Sequence, residues 1–587
     1  MDKVDPSDFQ PSTQNINGSA GGVIILTPES DTKQVYMVIP PSLAIPIVFL
    51  PGVMGSNLRM TKSRQEKLKR KDNRAWRPDD AGDTLVRRHD DPDIRQLNFD
   101  PDETEVEYYE WTADGKRFDA TQADDKRHSN VPDSLESIHP LLISDPVPTG
   151  LHAQPTQDAA TAAQKARRRG WSEVMFDSYG SALKEFEVRL NNAVQFMTGD
   201  KIEGVWEFNY LNKPPSAWAK PEGTTIKEAL TQEEITALGK SWLPVHAMGY
   251  NWLKSNGESA KYVAQRIKDL KARYEKFGFT CPGVIVVTHS MGGLLGRALV
   301  HPKYGNLKTE VLGMVHGVMP THGAAATYKR MRAGFEGGAF WDVSVNMTQK
   351  VLGDDGEKVT AVLANAPGVL ELLPNDLYGA DWLVVQDSSG KTLQSWPKQG
   401  SAVHEVYTQP NSAWWRLMNP QWVDPAEKHK LAGREPMDDV IERLQRAAKF
   451  SNAIADTFHT STYAHYGDDP YKKSFNRVIW RVVEGDAIDA GTPASWTLLA
   501  DNKRGQIQVR TASQRTLTLE LQAPADAGDE TVPSDRSASK VRGKHWVQTG
   551  YDHQNSYKDH QVQAATIYSV AKMASQAIRQ AYERKTQ

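Results

Sequence analysis

The sequence predicts an α/β fold: a mostly parallel sheet flanked by helices, with long insertions between its strands. Three observations carry this. Residues 45–50 and 284–287 are short apolar runs without polar alternation, the pattern of strands covered on both faces. Between strand-like residues 243–248 and 284–287, the side chains of Val263, Ile267, Leu270, Tyr274 and Phe277 recur at steps of four and three, a helical core stripe. Strand, helix and strand in this order make a right-handed βαβ unit. Finally, Ser290 falls between the second of these strands and a glycine-rich helix start.

In chain order, residues 1–40 read as a polar tail, and 41–587 as one domain. Residues 45–50 (Ile-Pro-Ile-Val-Phe-Leu) form a buried strand that exits through Pro51-Gly52. A first insertion at about 60–240 is polar and Asp-rich, with a basic run at 62–74 read as a solvated loop and a helix around 182–190. The strand at 243–248 leads into Gly249-Tyr250-Asn251-Trp252, after which Ser255 and Glu258 have the spacing of a capping box. Gly278 ends that helix. A second insertion at about 320–450 is irregular and rich in tryptophan, and the two insertions together are read as a cap. Residues 462–466 and 478–483 are strand-like, 506–510 and 516–521 alternate like a hairpin, and Ile567, Val570, Ala574 and Ile578 share one face of a closing helix.

A chain of 587 residues exceeds what one simple core serves, which fits these insertions. Seventy basic against seventy-three acidic side chains leave a net charge of −3, so nothing electrostatic points to nucleic acid, and none is assigned as a partner. The single cysteine, Cys281, excludes an intramolecular disulfide and reads as a buried inert thiol. No apolar run reaches the ~20 residues that span a bilayer. Residues 1–31 lack the charged and apolar segments of a secretory signal, so synthesis in a reducing cytoplasm is expected, with any export left to other machinery. The acidic cluster at 90–102 matches no calcium-loop spacing. No metal and no cofactor is assigned.

Four local patterns carry chemistry. In Thr288-His289-Ser290-Met291-Gly292, a serine between strand and helix sits on a tight turn that lifts its hydroxyl out of the sheet. Small residues are needed two positions to either side; Gly292 meets this and Thr288 departs from it. In Pro51-Gly52-Val53-Met54-Gly55-Ser56, a turn after the first strand can aim an amide at a developing oxyanion. The two donors are then the amides of Val53 and of Met291, the residue after the nucleophile. Gly528-Asp529-Glu530-Thr531-Val532-Pro533 offers a carboxylate, and Gly550-Tyr551-Asp552-His553 a histidine, ahead of the last helix. The order Ser290, Asp529, His553 is that of α/β-hydrolases rather than of trypsin or subtilisin. Two alternatives stay open: His560 for the base, and Asp486, after the strand at 478–483, for the acid.

These four patterns resemble the lecithin:cholesterol acyltransferase and GPI-inositol deacylase branch of the α/β-hydrolases. Pro-Gly-Val-Leu-Glu-Leu-Leu-Pro at 367–374 is similar to a segment that branch carries after its lid, and Gly249-Tyr250-Asn251-Trp252 looks like its Tyr-Asp-Trp turn. The resemblance implies a triad of Ser290, Asp529 and His553, with Val53 and Met291 forming the oxyanion hole. The paired lid cysteines of the branch are absent here. The long, Trp-rich insertions resemble bacterial type VI secretion phospholipase effectors assigned to the same branch. That implies a membrane phospholipid substrate, a cognate inhibitor protein, and secretion machinery that delivers the chain to a target-cell periplasm as a toxin. Trp414 and Trp415, with Leu417 and Met418, are then the residues expected to face lipid. The rival readings are an esterase or amidase of small soluble substrates, and a non-catalytic lipid- or protein-binding relative. Retention of serine, acid, base and turn argues against the second rival.

Overall fold

The computed structural model describes residues 42–79, 89–107, 131–132, 162–191, 213–336 and 351–586, except 221, 277, 399, 486, 488 and 489, and the backbone of a few short strands outside these ranges. Phe277, Trp341 and Asp486 therefore lie outside the described residues. Six strands form one all-parallel sheet: β1 (Ile47–Leu50), β2 (Val245–Ala247), β3 (Val284–His289), β4 (Val311–Gly317), β5 (Thr462–Gly467) and β6 (Lys544–Gln548), in the order β2-β1-β3-β4-β5-β6. Every residue of β1 and β3 is buried, as their unbroken apolar runs require.

The helices that position the site are α1 (Phe176–Asn191), α2 (Asn256–Lys276), α3 (Gly292–Val300), α4 (Ala325–Ala333), α5 (Pro436–Ile454) and α6 (His560–Thr586). Alternate strand residues divide between two apolar layers. Ile47, Phe49, Ile285 and Val287 pack with Leu183 and Phe186 of α1 and Ile567 and Val570 of α6. Val48, Leu50, Val284 and Val286 share the other layer with Val263 and Ile267 of α2 and Leu295 and Leu299 of α3. A parallel sheet sandwiched in this way, with a serine turn between its third strand and a helix, is the α/β-hydrolase fold.

β2 and β3, which α2 joins, are not neighbours. β1 pairs with both of them, so the expected βαβ unit closes over β1. From β1 the chain first moves outward to β2, then crosses back and proceeds through β4, β5 and β6 on the other side. Strand order thus reverses at β1 and β3, where open α/β sheets leave a crevice at the carboxyl ends of their strands.

Several sequence expectations are corrected. The Ser255–Glu258 capping box does not form: Glu258 is exposed. The start of α2 is held instead by Glu371, which accepts from Ser255 Oγ (2.6 Å), Asn256 N (2.8 Å) and Asn256 Nδ2 (2.7 Å). The run at 62–74 is no loop, since Lys62–Lys67 is helical and Arg64 is buried against Asp100 at 2.8 Å. Acids of the 90–102 cluster hold cations of the chain itself, Asp90 with Arg70 (3.0 Å) and Asp100 with Arg64 and Lys428 (2.7 Å). Within residues 1–40, Phe9–Gln14, Ala20–Ile24 and Val35–Ile39 form an antiparallel sheet.

Val478–Glu484, where a strand was expected at 478–483, belongs to a second, mixed sheet. It lies between Leu383–Gln386 and Thr516–Leu521, and the sheet is completed by Thr392–Trp396, Gln506–Arg510 and Thr497–Asp501. Trp414 and Trp415 fill the interior beside this sheet rather than facing lipid. Both are buried; Trp415 stacks on Trp396 at 4.7 Å, and Trp414 meets Trp480 edge-on at 6.1 Å. Cys281 is buried, and burial pushes its thiol up to about 12. Among the described residues, no helix is long and apolar enough to cross a membrane.

Candidate active site

Ser290 occupies the crevice at β1 and β3. It leaves β3 with φ +51°, left-handed backbone that a non-glycine residue adopts only under strain, and its amide is tied to the carbonyl of Gly317 at the end of β4 (2.8 Å). Gly292 is required because a Cβ there would stand 2.5 Å from the Pro51 carbonyl oxygen and 2.7 Å from that of Leu50. The helix start therefore presses directly on the exit turn of β1. Thr288, the departure from a small residue, fits because Gly296 faces it one turn into α3 and its own Oγ1 meets Nδ1 of His316 at 3.0 Å.

His553 lies on the loop between β6 and α6, with Nε2 2.8 Å from Ser290 Oγ and Nδ1 2.8 Å from Asp529 Oδ2. The serine hydroxyl donates to the first nitrogen, and the second donates to the carboxylate. His560 begins α6 and is exposed, away from this group. Asp529 is fully buried. Its second oxygen, Oδ1, accepts from the amides of Thr531 (3.1 Å) and Val532 (2.7 Å), and its backbone carbonyl accepts from the His553 amide (2.7 Å). Its position depends on a detour: the chain leaves β5 through strand Asp469–Ser474, builds the second sheet, and returns through Asp526–Gly528, antiparallel to that strand. Asp529 is thereby delivered beside the end of β5.

The turn after β1 lines the same pocket through Val53 and Met54. Neither the Val53 amide nor the Met291 amide donates to another described residue. The pocket measures ≈130 Å³ and is lined further by Ala324, the residue before α4, by Thr327 of α4, and by Leu372 and Val532.

Tyr179 and His289, to which the sequence patterns gave no role, also belong to the site. The Gly52 amide donates to Tyr179 Oη (3.3 Å), that hydroxyl donates to His289 Nδ1 (3.0 Å), and His289 Nε2 donates to the His553 carbonyl (2.9 Å). This chain of bonds ties the β1 turn to the histidine loop. It uses His289 as a neutral ring, and burial, with His553 adding to it, lowers His289 to about 3. Position 289, adjoining the serine, was the only signal for it; nothing local marks Tyr179, 110 residues away. Chemically, the arrangement offers a hydroxyl with an adjacent base, a carboxylate that fixes the base's tautomer, and free amides nearby. Among the described residues, no group of three or more His, Cys, Asp or Glu is placed to hold a metal ion.

No protein-family model and no curated protein matches the chain. Among solved structures, the chain is similar to one in the crystal structure of the Tle4–Tli4 complex, with 28% identity, coverage of 90% of this chain and 98% of that one, and a TM-score of 0.69. Phospholipase PlaB from Legionella pneumophila matches over 48% of this chain and 73% of that one at 12% identity and a TM-score of 0.14, too little to bear on this chain. The Tle4–Tli4 likeness lends no support to the lecithin:cholesterol acyltransferase branch; what it supports is an α/β-hydrolase fold shared over nearly the whole chain.

Proposed function

We propose that the chain is a serine hydrolase of membrane-lipid acyl esters, with Ser290 as nucleophile, His553 as general base and acid, and Asp529 as the carboxylate that orients His553. The observation that carries this reading is the pair of 2.8 Å contacts running from Ser290 through His553 to Asp529 in the β1–β3 crevice. Ser290 Oγ attacks the ester carbonyl as its proton passes to His553 Nε2, and the amides of Val53 and Met291 receive the oxyanion. The alcohol leaves with that proton, and water then releases the acyl group by the same steps. A phospholipid is the favoured substrate, and a secreted toxin that pairs with an inhibitor protein the favoured role, because the motif resemblance points there; the likeness to a chain solved in a complex, Tle4–Tli4, is in keeping with a protein partner.

Ser290→Ala is expected to abolish fluorophosphonate labelling and to lower turnover of both p-nitrophenyl butyrate and phospholipid by about 10⁶-fold. A mutant that keeps more than a tenth of the wild-type rate sinks the assignment. As a toxin, the chain is expected to arrest bacterial growth when directed to the periplasm and to be harmless in the cytoplasm. Harmless periplasmic expression of a catalytically active preparation refutes that part of the reading.

A further inference from the structure

The proposed mechanism leaves one charged cluster at the pocket unused. Arg330, in the last turn of α4, lines the same pocket as Ser290. Its guanidinium lies against the ring of Phe335 (5.1 Å), Nη2 reaches Thr531 Oγ1 (3.4 Å), and Nε is paired with Glu336 Oε2 (3.0 Å). Nη1 donates to none of the described residues, and the side chain keeps 21% of its exposure. Lys329 adds a second cation, 3.0 Å from the other oxygen of Glu336. Glu336 is the one carboxylate among the residues that line this pocket.

We infer that Arg330, with Lys329 behind it and the Thr531 hydroxyl beside it, forms a subsite for the phosphate of the substrate, and that Glu336 occupies this subsite when no phosphate is bound. The inference rests on the ester-hydrolase reading of Ser290. In a glycerophospholipid, only the glycerol backbone separates the acyl ester from the phosphate. An ester held at Ser290 therefore places its phosphate within the same small pocket, where a guanidinium fork matches two phosphate oxygens. Arg330 is held in place by its stacking on Phe335 and its bond to Thr531, so a phosphate need only displace the Glu336 carboxylate. Thr531 also joins the subsite to the triad, since its amide donates to Asp529. Burial opposes ionisation of Glu336, but Arg330 and Lys329 hold its carboxyl down at about 2. The competitor thus stays charged across the physiological range.

Two assays separate lipid phosphate from free phosphate. In the first, wild type, Arg330→Gln and Glu336→Gln hydrolyse phosphatidylglycerol and the diacylglycerol of the same chains in mixed micelles. A charge-assisted contact is worth roughly 10- to 100-fold, so Arg330→Gln should lower the phospholipid-to-diacylglycerol ratio of kcat/KM by about 30-fold. Glu336→Gln should lower the phospholipid KM by about threefold or more. In the second, sn-glycerol 3-phosphate competes with p-nitrophenyl butyrate, and its inhibition constant should rise about tenfold or more in Arg330→Gln and fall in Glu336→Gln. An unchanged lipid ratio together with an unchanged inhibition constant overturns the subsite. If Arg330→Gln does not fold, Glu336→Gln decides alone, and an unmoved phospholipid KM and inhibition constant refute the inference. Failure of the lipid-hydrolase reading looks different: wild type would cleave butyrate and ignore both lipids, and the second assay would still test the subsite.

Discussion

Each oxygen of the Asp529 carboxylate has its own work. Oδ2 accepts the hydrogen bond from Nδ1 of His553, while two amides that donate to Oδ1 keep the carboxylate aimed at the ring. Asp529→Asn retains the shape but presents an amide where a carboxylate must accept, so the imidazole loses its tautomer and orientation. Turnover at neutral pH should drop about 10⁴-fold with the circular dichroism spectrum unchanged. Should Asp529→Asn stay within tenfold of wild type while Asp486→Asn collapses activity, the acid has been misassigned. The choice between these aspartates was open in the sequence because each follows a strand-like run. Only the pairing partners of Val478–Glu484 show that its strand belongs to the second sheet. The strand, turn and helix around Ser290, by contrast, were legible from neighbouring residues, because all three are local. Tyr179 and His289 were not, since their importance lies in bonds between distant segments.

At the scale of elements, the strand–turn–helix unit of β3 and α3 depends on one close packing contact. A Cβ on Gly296 would lie 3.1 Å from Thr288 Cγ2 and 3.4 Å from His316 Cε1. Alanine favours a helix interior over glycine by about 1 kcal/mol, yet Gly296→Ala should still destabilise by about 1–2 kcal/mol, because overpacking outweighs propensity here. Thr288→Ser removes Cγ2 and keeps the hydroxyl on His316. In that background the cost of Gly296→Ala should vanish, giving a coupling energy of about 1–2 kcal/mol in a denaturation cycle. Equal costs in both backgrounds would show that the threonine methyl is not what excludes a side chain at 296. Element existence was readable wherever the apolar pattern is strong, as an unbroken run in β1 and β3 or a helical stripe in α2 and α6, and all four appear where those patterns put them. Element ends were less so. The α2 cap is supplied by Glu371, over a hundred residues downstream, and a local Ser-x-x-Glu match offered a false substitute.

For the whole molecule, what the sequence hid was the route of the chain between strands: a second sheet built largely after β5 gives no local sign that Asp529 returns to the first. Its effect on stability comes from ionisable groups that the two sheets and their helices enclose. His246, His289, His316 and His465 are buried on the four strands β2, β3, β4 and β5, or immediately at their ends. Burial lowers His289, His316 and His465 to about 3, and His246 well below its ordinary value. His316 Nε2 and His465 Nδ1 have no hydrogen-bond partner among the described residues, so a proton added there would bring an unpaired charge into the core. Unfolding releases these rings to titrate near 6.5, so their contribution is complete above that pH and is lost progressively as pH falls below it. Asp79 and Glu371 act in the opposite sense. Burial raises each to about 7, so they favour the folded state most at low pH and lose that effect as pH rises through 7. Among these six groups alone, four histidines against two carboxylates leave a net excess of about two protons taken up on unfolding between about pH 4.5 and 5.5. Stability should therefore fall by about 3 kcal/mol for each unit of acidification in that window, a large share of the ~5–15 kcal/mol typical of a folded protein. Thermal unfolding followed from pH 7.5 to pH 4.5 should show a midpoint that drops steeply below pH 6. Replacing His316 with Gln, which keeps a polar group but cannot titrate, should make that drop shallower. A midpoint that is flat or rises on acidification would mean that these histidines are already charged in the folded protein.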